Sequence, residues 1–269
     1  MTDDSRVTAR RVAQESDRRR VVEVLAATYH REKNWVSDPE AQVPPEDLDH
    51  HDIAWFVVSL GDRAAGVLRV RYDPPYAQYL RYGLKLLDPR LQVQEFLRCN
   101  RIAEVGRFAV KPEFRNRFLV AVALMRAATN GAVARGYMHL VTDVFEDDPH
   151  TPYRFHTRVM GFVPVATHDF GELHCRSRRI TLVLDIRSAY ARLKSQGGWL
   201  YRYLTSDWDE AVHQRLAQPR PRAGADDSFA FIHPDAPPNR NKPRPIQLTA
   251  RQPFVKRPAR GSAANDVWS

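Results

Sequence analysis

The sequence predicts an α/β fold in which helices flank one sheet, and three stretches carry that prediction. Residues 54–60 and 64–72 are apolar, β-prone runs joined by Gly61-Asp62-Arg63, the signature of a hairpin. Residues 101–110, RIAEVGRFAV, read as a further strand whose apolar members are Ile102, Val105, Phe108 and Val110. From about 115 to 135 the chain is apolar on every side of a helix. Phe118, Val122 and Met125 share one face while Leu119, Val120 and Leu124 fill the others, so this helix belongs in the interior.

The other elements follow in order. Residues 7–12 form a short first strand. Ser16 is placed to cap a helix through Tyr29, with Val21, Val24, Leu25 and Tyr29 as its apolar stripe. Residues 37–52, rich in proline and acid, are loop-like, and Pro74-Pro75 ends the second hairpin strand. Between 76 and 100, Leu80, Leu84, Leu87, Leu91 and Phe96 suggest helical pieces or a loop with an apolar underside. Gly136 closes the long helix, and 139–145 reads as a buried strand. Thr151-Pro152 fits a cap followed by proline at the first position of a helix through Met160, which Gly161 ends. Residues 162–166 extend, 180–186 is a strong last strand, and two helices follow over 187–194 and 199–216.

The expected organisation is therefore a domain of residues 1–186, a helical extension of 187–217 and a basic tail of 218–269. Nine of the chain's 19 prolines fall in that tail with few apolar residues between them. Such a segment cannot bury enough surface to offset its ordering entropy, so it is expected to be disordered.

Composition narrows the class. The chain has 269 residues, 43% of them apolar, enough for one sizeable domain. No apolar stretch approaches the ~18 residues of a spanning helix, and the N-terminus has no signal-like apolar run. Cys99 and Cys175 lack CxxC spacing and imply neither a disulfide framework nor a zinc site. A cytoplasmic protein without a transmembrane segment is the expectation. Of the net charge of +9, the tail carries +5 and the remainder +4. The folded part is thus only mildly basic, which argues against a nucleic-acid binder but suits an acidic partner approaching locally.

The chemistry concentrates in residues 101–117. Glu104 and Arg107 sit inside a burial-prone strand, where charge is costly unless it faces a cavity, pairs or reacts. Two strand residues three apart point to opposite faces unless a bulge intervenes, and Gly106 is where one fits. Glu104 suits a general base, with Arg107 orienting it or binding a carboxylate; an ion pair that does nothing else is the alternative. Lys111, Arg115 and Arg117 form a basic turn before the long helix. Glu146-Asp147-Asp148 with His150, and Asp49-His50-His51-Asp52, have no recognised metal-ligand spacing and read as solvated loops, so no metal is expected. Trp35 and Trp55 read as core. No GxSxG, Walker or GxGxxG pattern appears.

Three segments, EVGRFAVKPEFR, the long helix after it and FHTRVMGF, together with the element order from about residue 7 to 186, resemble the GNAT acyltransferase fold. Within it the sequence resembles the long-chain N-acyl amino acid synthases of the FeeM type, relatives of the acyl-homoserine lactone (autoinducer) synthases, through the Glu-x-x-Arg strand Glu104-Val105-Gly106-Arg107. The resemblance implies a central mixed, mostly antiparallel sheet and transfer of an acyl chain from acyl carrier protein, or from acyl-CoA, to the α-amine of an amino acid. The phosphopantetheine thioester would be a substrate, with no tightly bound cofactor. Backbone N–H groups of Phe108, Ala109 and Val110 would hold the oxyanion, and Lys111, Arg115 and Arg117 the donor's phosphate.

Two departures from the family pattern matter. The usual coenzyme A loop has glycines that close round a pyrophosphate; residues 115–120 place Phe118 and Val120 there, which favours the single phosphate of a carrier-protein arm. The tyrosine that often protonates the leaving thiolate is replaced by Thr157, leaving Tyr153 and His156 as substitutes. A thiolate with a pKa near ~8.5 also leaves without much help. Acyl-homoserine lactone synthesis from S-adenosylmethionine, or a non-catalytic carrier-binding module, are the rival readings.

Overall fold

The computed structural model describes residues 6–76, 81–173 and 175–218. Eight strands form one sheet in the order β1-β2-β3-β5-β6-β8-β7-β4. They are β1 Val7–Arg11, β2 Ile53–Leu60, β3 Arg63–Tyr72, β4 Lys85–Leu86, β5 Ile102–Val110, β6 His139–Phe145, β7 Val163–His168 and β8 Arg179–Asp185. All neighbours pair antiparallel except β5 and β6, which run parallel. The sheet is therefore mixed and mostly antiparallel, as the sequence implied.

The helices are α1 Glu15–Leu25, α2 Val93–Cys99, α3 Phe118–Ala134, α4 Ile186–Gln196, α5 Gly198–Thr205 and α6 Glu210–Ala217. One face of the sheet packs on α3, whose Val120, Val122, Leu124, Met125 and Ala128 are all fully buried against it. Apolar all round, α3 is covered on its far side by the last three helices, which send Tyr190, Leu193, Leu204 and Leu216 into the same core. Gly136, at φ +80, ends α3 as the sequence suggested. The opposite face takes α1 over Trp55, Val57 and Val67, and α2 over Ile102, Val141 and Val183. No helix among the described residues is long and apolar enough to cross a membrane.

Several local expectations shift. Helix α1 starts a residue before Ser16, because Gln14 already has the extended backbone of a cap, and it gives way after Leu25 to a π-helical segment, Ala26–Glu32. That wider turn carries Thr28 and Tyr29. Thr151 does not cap a regular helix. Phe155–Met160 is instead a second π-helical segment, closed by Gly161 at φ +91. Such segments concentrate at functional sites because the wider turn re-aims side chains. Among the described residues the C-terminal helices number three, and the first is capped by the Asp185 carboxylate, which accepts from the N–H groups of Arg187 and Ser188. The expected disordered tail lies, from residue 219 onward, outside the described residues.

Candidate active site

Strand β5 is built to part from its neighbour. It pairs with β6 only from Ile102 to Glu104, so its β6-facing edge beyond that point meets no strand. On the other side, register with β3 slips: Arg69 faces Gly106 and Val67 faces Ala109, leaving Arg107 and Phe108 opposite Leu68 alone. This is a β-bulge, and Arg107 takes φ +52 to make it. The bulge thus falls one residue after the position the sequence suggested. Gly106 serves a different purpose, since a Cβ there would stand 3.1 Å from Glu104 Oε1 and 3.5 Å from an Arg69 nitrogen. The Tyr29 hydroxyl donates to the Phe108 carbonyl at 3.3 Å and steadies the parted edge. Burial pushes this phenol up to about 12, which keeps it a donor.

A cavity of about 360 Å3 runs through the parting, lined by Glu104–Val110 along β5. Of the charged groups on β3 and β5, Glu104 and Arg107 line it, and Arg69 and Arg71 stand beside them without entering the lining. Arg71 faces Glu104 across the ladder, and an Arg69 nitrogen lies 3.6 Å from Glu104 Oε1. Glu172, from the β7–β8 loop, lies 3.4 Å from Arg69, 3.0 Å from Arg71 and 3.1 Å from Arg107. Arg107 also donates to Gln42 at 3.1 Å. Three guanidiniums against two carboxylates leave the cluster one positive charge in excess. Burial raises the Glu104 carboxyl above its ordinary value despite the pull of Arg69 and Arg71. Glu172 is held below its ordinary value, because Arg69, Arg107 and Arg71 together outweigh the effect of its burial.

Aromatic rings contribute elsewhere to the cavity lining, with Phe108, Phe145 and Trp35 as well as the His156 imidazole. His156 is fully buried, its ring edge-on to Phe108 and Phe162 at 5.1 and 5.0 Å between centroids. Neither ring nitrogen has a hydrogen-bond partner among the described residues, nor does the Thr151 hydroxyl, and both residues line the cavity. Burial lowers the His156 pKa to about 3, so the imidazole is neutral and offers one N–H. Tyr153 is absent from the cavity lining and packs partly buried against the main core, so of the two sequence-suggested substitutes only His156 lines the cavity.

The basic turn also divides. Lys111 is buried and paired with Glu23 of α1, away from the cavity lining, so its charge is spoken for. Arg115 lines the cavity while donating to Glu32 at 2.7 Å. Arg117, exposed at the cap of α3, lines it with no ion pair among the described residues. Phe108, Ala109 and Val110 also line it.

Sequence reasoning missed several lining groups. Trp35, read as core, lines the cavity with its ring 4.1 Å from that of Phe145. Asp148, read as part of a solvated loop, is buried in an ion pair with Lys33. Asp143 accepts from Thr181 at 2.8 Å and lies 3.1 Å from His168 Nε2. A second cavity, of about 200 Å3, opens on the α2 side of the sheet among Tyr76, Leu86, Phe96, Ile102, Val141 and Val183. Its Ile102 and Val141 each stand two residues before lining residues of the first cavity, Glu104 and Asp143.

A parted β5/β6 pair, a buried carboxylate at one mouth and a helix N-terminus at the other define a GNAT-fold acyltransferase. The chain belongs to the FeeM family of N-acyl amino acid synthases, whose model matches residues 20–173. The structure of FeeM, an N-acyl amino acid synthase from uncultured soil microbes, is similar over 71% of this chain and 97% of that one, with 17% identity and a TM-score of 0.53. The ribosomal-protein-S18-alanine N-acetyltransferase from Escherichia coli aligns over 67% and 94% at 12% identity and a TM-score of 0.45. No curated protein matches the sequence. The protein is an N-acyltransferase.

Proposed function

We propose that this N-acyltransferase moves a long acyl chain from an acyl carrier protein to the α-amine of an amino acid. The observation that carries the reading is that Glu104 and Arg107 line one cavity, with Arg69 and Arg71 beside them giving the cluster a net positive charge. The carboxylate suits the amine and the cluster suits the acceptor's own carboxylate, which Arg binds by a two-pronged contact. The second, mostly apolar cavity, whose Ile102 lies two residues before Glu104 on β5, offers the acyl chain a place.

The chemistry follows from these positions. Glu104, its basicity raised by burial, takes a proton from the acceptor's amine directly or through one water. The amine then attacks the thioester carbonyl, and N–H groups of the parted β5 edge near Phe108–Val110 receive the developing oxyanion. The C–S bond breaks as the nitrogen sheds its second proton, through water, to the leaving thiolate, which accepts a hydrogen bond from the neutral His156 ring. Replacing His156 with leucine is expected to lower turnover about three- to ten-fold, the worth of one neutral hydrogen bond, without lowering the melting temperature. A parallel fall in melting temperature would make His156 a packing residue only; turnover and thermal melts on the same sample decide it.

The donor end favours a carrier-protein arm. Phe118 opens α3 with its ring 46% exposed where a pyrophosphate-cradling loop would need a small residue. One phosphate, met mainly by Arg117, suffices for phosphopantetheine. Arg117→Glu is expected to raise KM for the acyl carrier protein about ten-fold at low salt, with the difference fading near 0.5 M salt as surface charges are screened. Assays with acyl-carrier protein and acyl-CoA side by side test the reading. Preference for acyl-CoA, or an Arg117→Glu enzyme with unchanged kinetics, would contradict it.

A further inference from the structure

The Glu172 carboxylate touches all three guanidiniums of the cluster, at 3.4 Å from Arg69, 3.0 Å from Arg71 and 3.1 Å from Arg107. It does not come from the strands that present them. It reaches in from the loop between β7 and β8, a hundred residues along the chain from Arg69 and Arg71. The loop is held without it: Arg179, itself buried, donates to the Asp169 carbonyl at 3.2 Å and the Leu173 carbonyl at 3.0 Å, on either side of Glu172. Gly171 fits against the same guanidinium, where a Cβ would come within 2.8 Å of its Nε. Glu172 therefore adds little to fixing the loop, and its side chain, about a third exposed, can swing away without moving the backbone.

We propose that the Glu172 carboxylate is a built-in competitor for the acceptor. It occupies the position that the acceptor's carboxylate takes, and the acceptor binds by displacing it. This rests on the amino-acid reading above. The consequence is selectivity as well as weakened affinity. A carboxylate exchanges one anion for another against Arg69, Arg71 and Arg107. A neutral amide would leave these buried cations facing fewer negative charges, which is costly. The competitor thereby excludes amines that lack a carboxylate and sets a concentration below which the acceptor is not engaged.

The test is steady-state kinetics of the native enzyme and Glu172→Gln, using L-tyrosine, L-phenylalanine and L-leucine, each beside its primary amide. The native enzyme is expected to prefer the acid. Glu172→Gln is expected to lower KM for the acid at least three-fold with kcat within about two-fold, and Glu172→Asp to fall between them. The gain should shrink with added salt, since the variant carries one more positive charge in the cluster. Acid preference with an unchanged or raised KM in Glu172→Gln would overturn the competitor and leave the amino-acid reading standing. Equal use of acid and amide by the native enzyme, or no use of either, would overturn that reading and the competitor with it. Thermal melts of the variants separate these outcomes from misfolding, and a variant that does not fold would itself show Glu172 to be a structural tie.

Discussion

Glu104→Gln is expected to lower kcat by about 10²–10⁴-fold, the usual worth of a positioned general base. The substitution keeps the side chain's shape but removes the carboxylate charge and with it the basicity that takes the amine's proton. Donor binding should survive, because the residues proposed to meet the donor, Arg117 and His156, are other than Glu104. The pH profile gives a second reading. Burial holds the folded-state pKa of Glu104 above the ordinary 4.5, so the basic form is lost as pH falls through that raised value. In the native enzyme kcat/KM should rise with pH along a limb lying above 4.5, and the variant should lack that limb. A native profile flat through the acid range would place the base elsewhere.

Arg107→Gly carries the second large effect. Arg107 adopts φ +52, which costs a residue other than glycine roughly 1–2 kcal/mol. Glycine takes that backbone freely, so the bulge should persist and only the guanidinium is lost. Removing one partner of a buried, hydrogen-bonded charge pair typically costs about 2–5 kcal/mol in binding. A fall of about 10²-fold in kcat/KM for the acceptor is expected, expressed mainly in KM, with KM for the donor little changed. Glu172 keeps Arg69 and Arg71, so the melting temperature should move by a few degrees at most. A drop in kcat alone would instead make Arg107 a positioning residue for Glu104.

The parts of this site that the sequence disclosed are those written in local pattern. The hairpin and the 101–110 strand show in runs of β-formers, and the all-round apolar α3 shows in its composition. Glu104 and Arg107 stood out because charge inside such a strand calls for a reason. Arg69 and Arg71 were legible by the same logic, alternating with Leu68, Val70 and Tyr72, and were passed over because β3 reads well enough without them.

What stayed hidden was set by contacts distant in sequence. Nothing near Lys111 announces that Glu23, from the other end of the domain, neutralises it. Nothing in a loop of ordinary polar composition marks Glu172. The bulge was misplaced by one residue because glycine is the usual occupant of positive φ; here Gly106 yields room to the Glu104 carboxylate and the arginine beside it takes the strain. The two π-helical segments were also invisible, since a one-residue widening leaves the apolar stripe of a helix nearly intact.

The central claim, acyl transfer to an amino acid through Glu104, is tested most directly by mass spectrometry of lipid extracts from bacterial cells making the native chain or its Glu104→Gln variant at equal, folded levels. New N-acylated amino acids, present with the native chain and absent with the variant, are the expected result, and they would identify acceptor and chain length together. Indistinguishable lipid profiles, in cells supplied with amino acids and an acyl carrier protein, would contradict it.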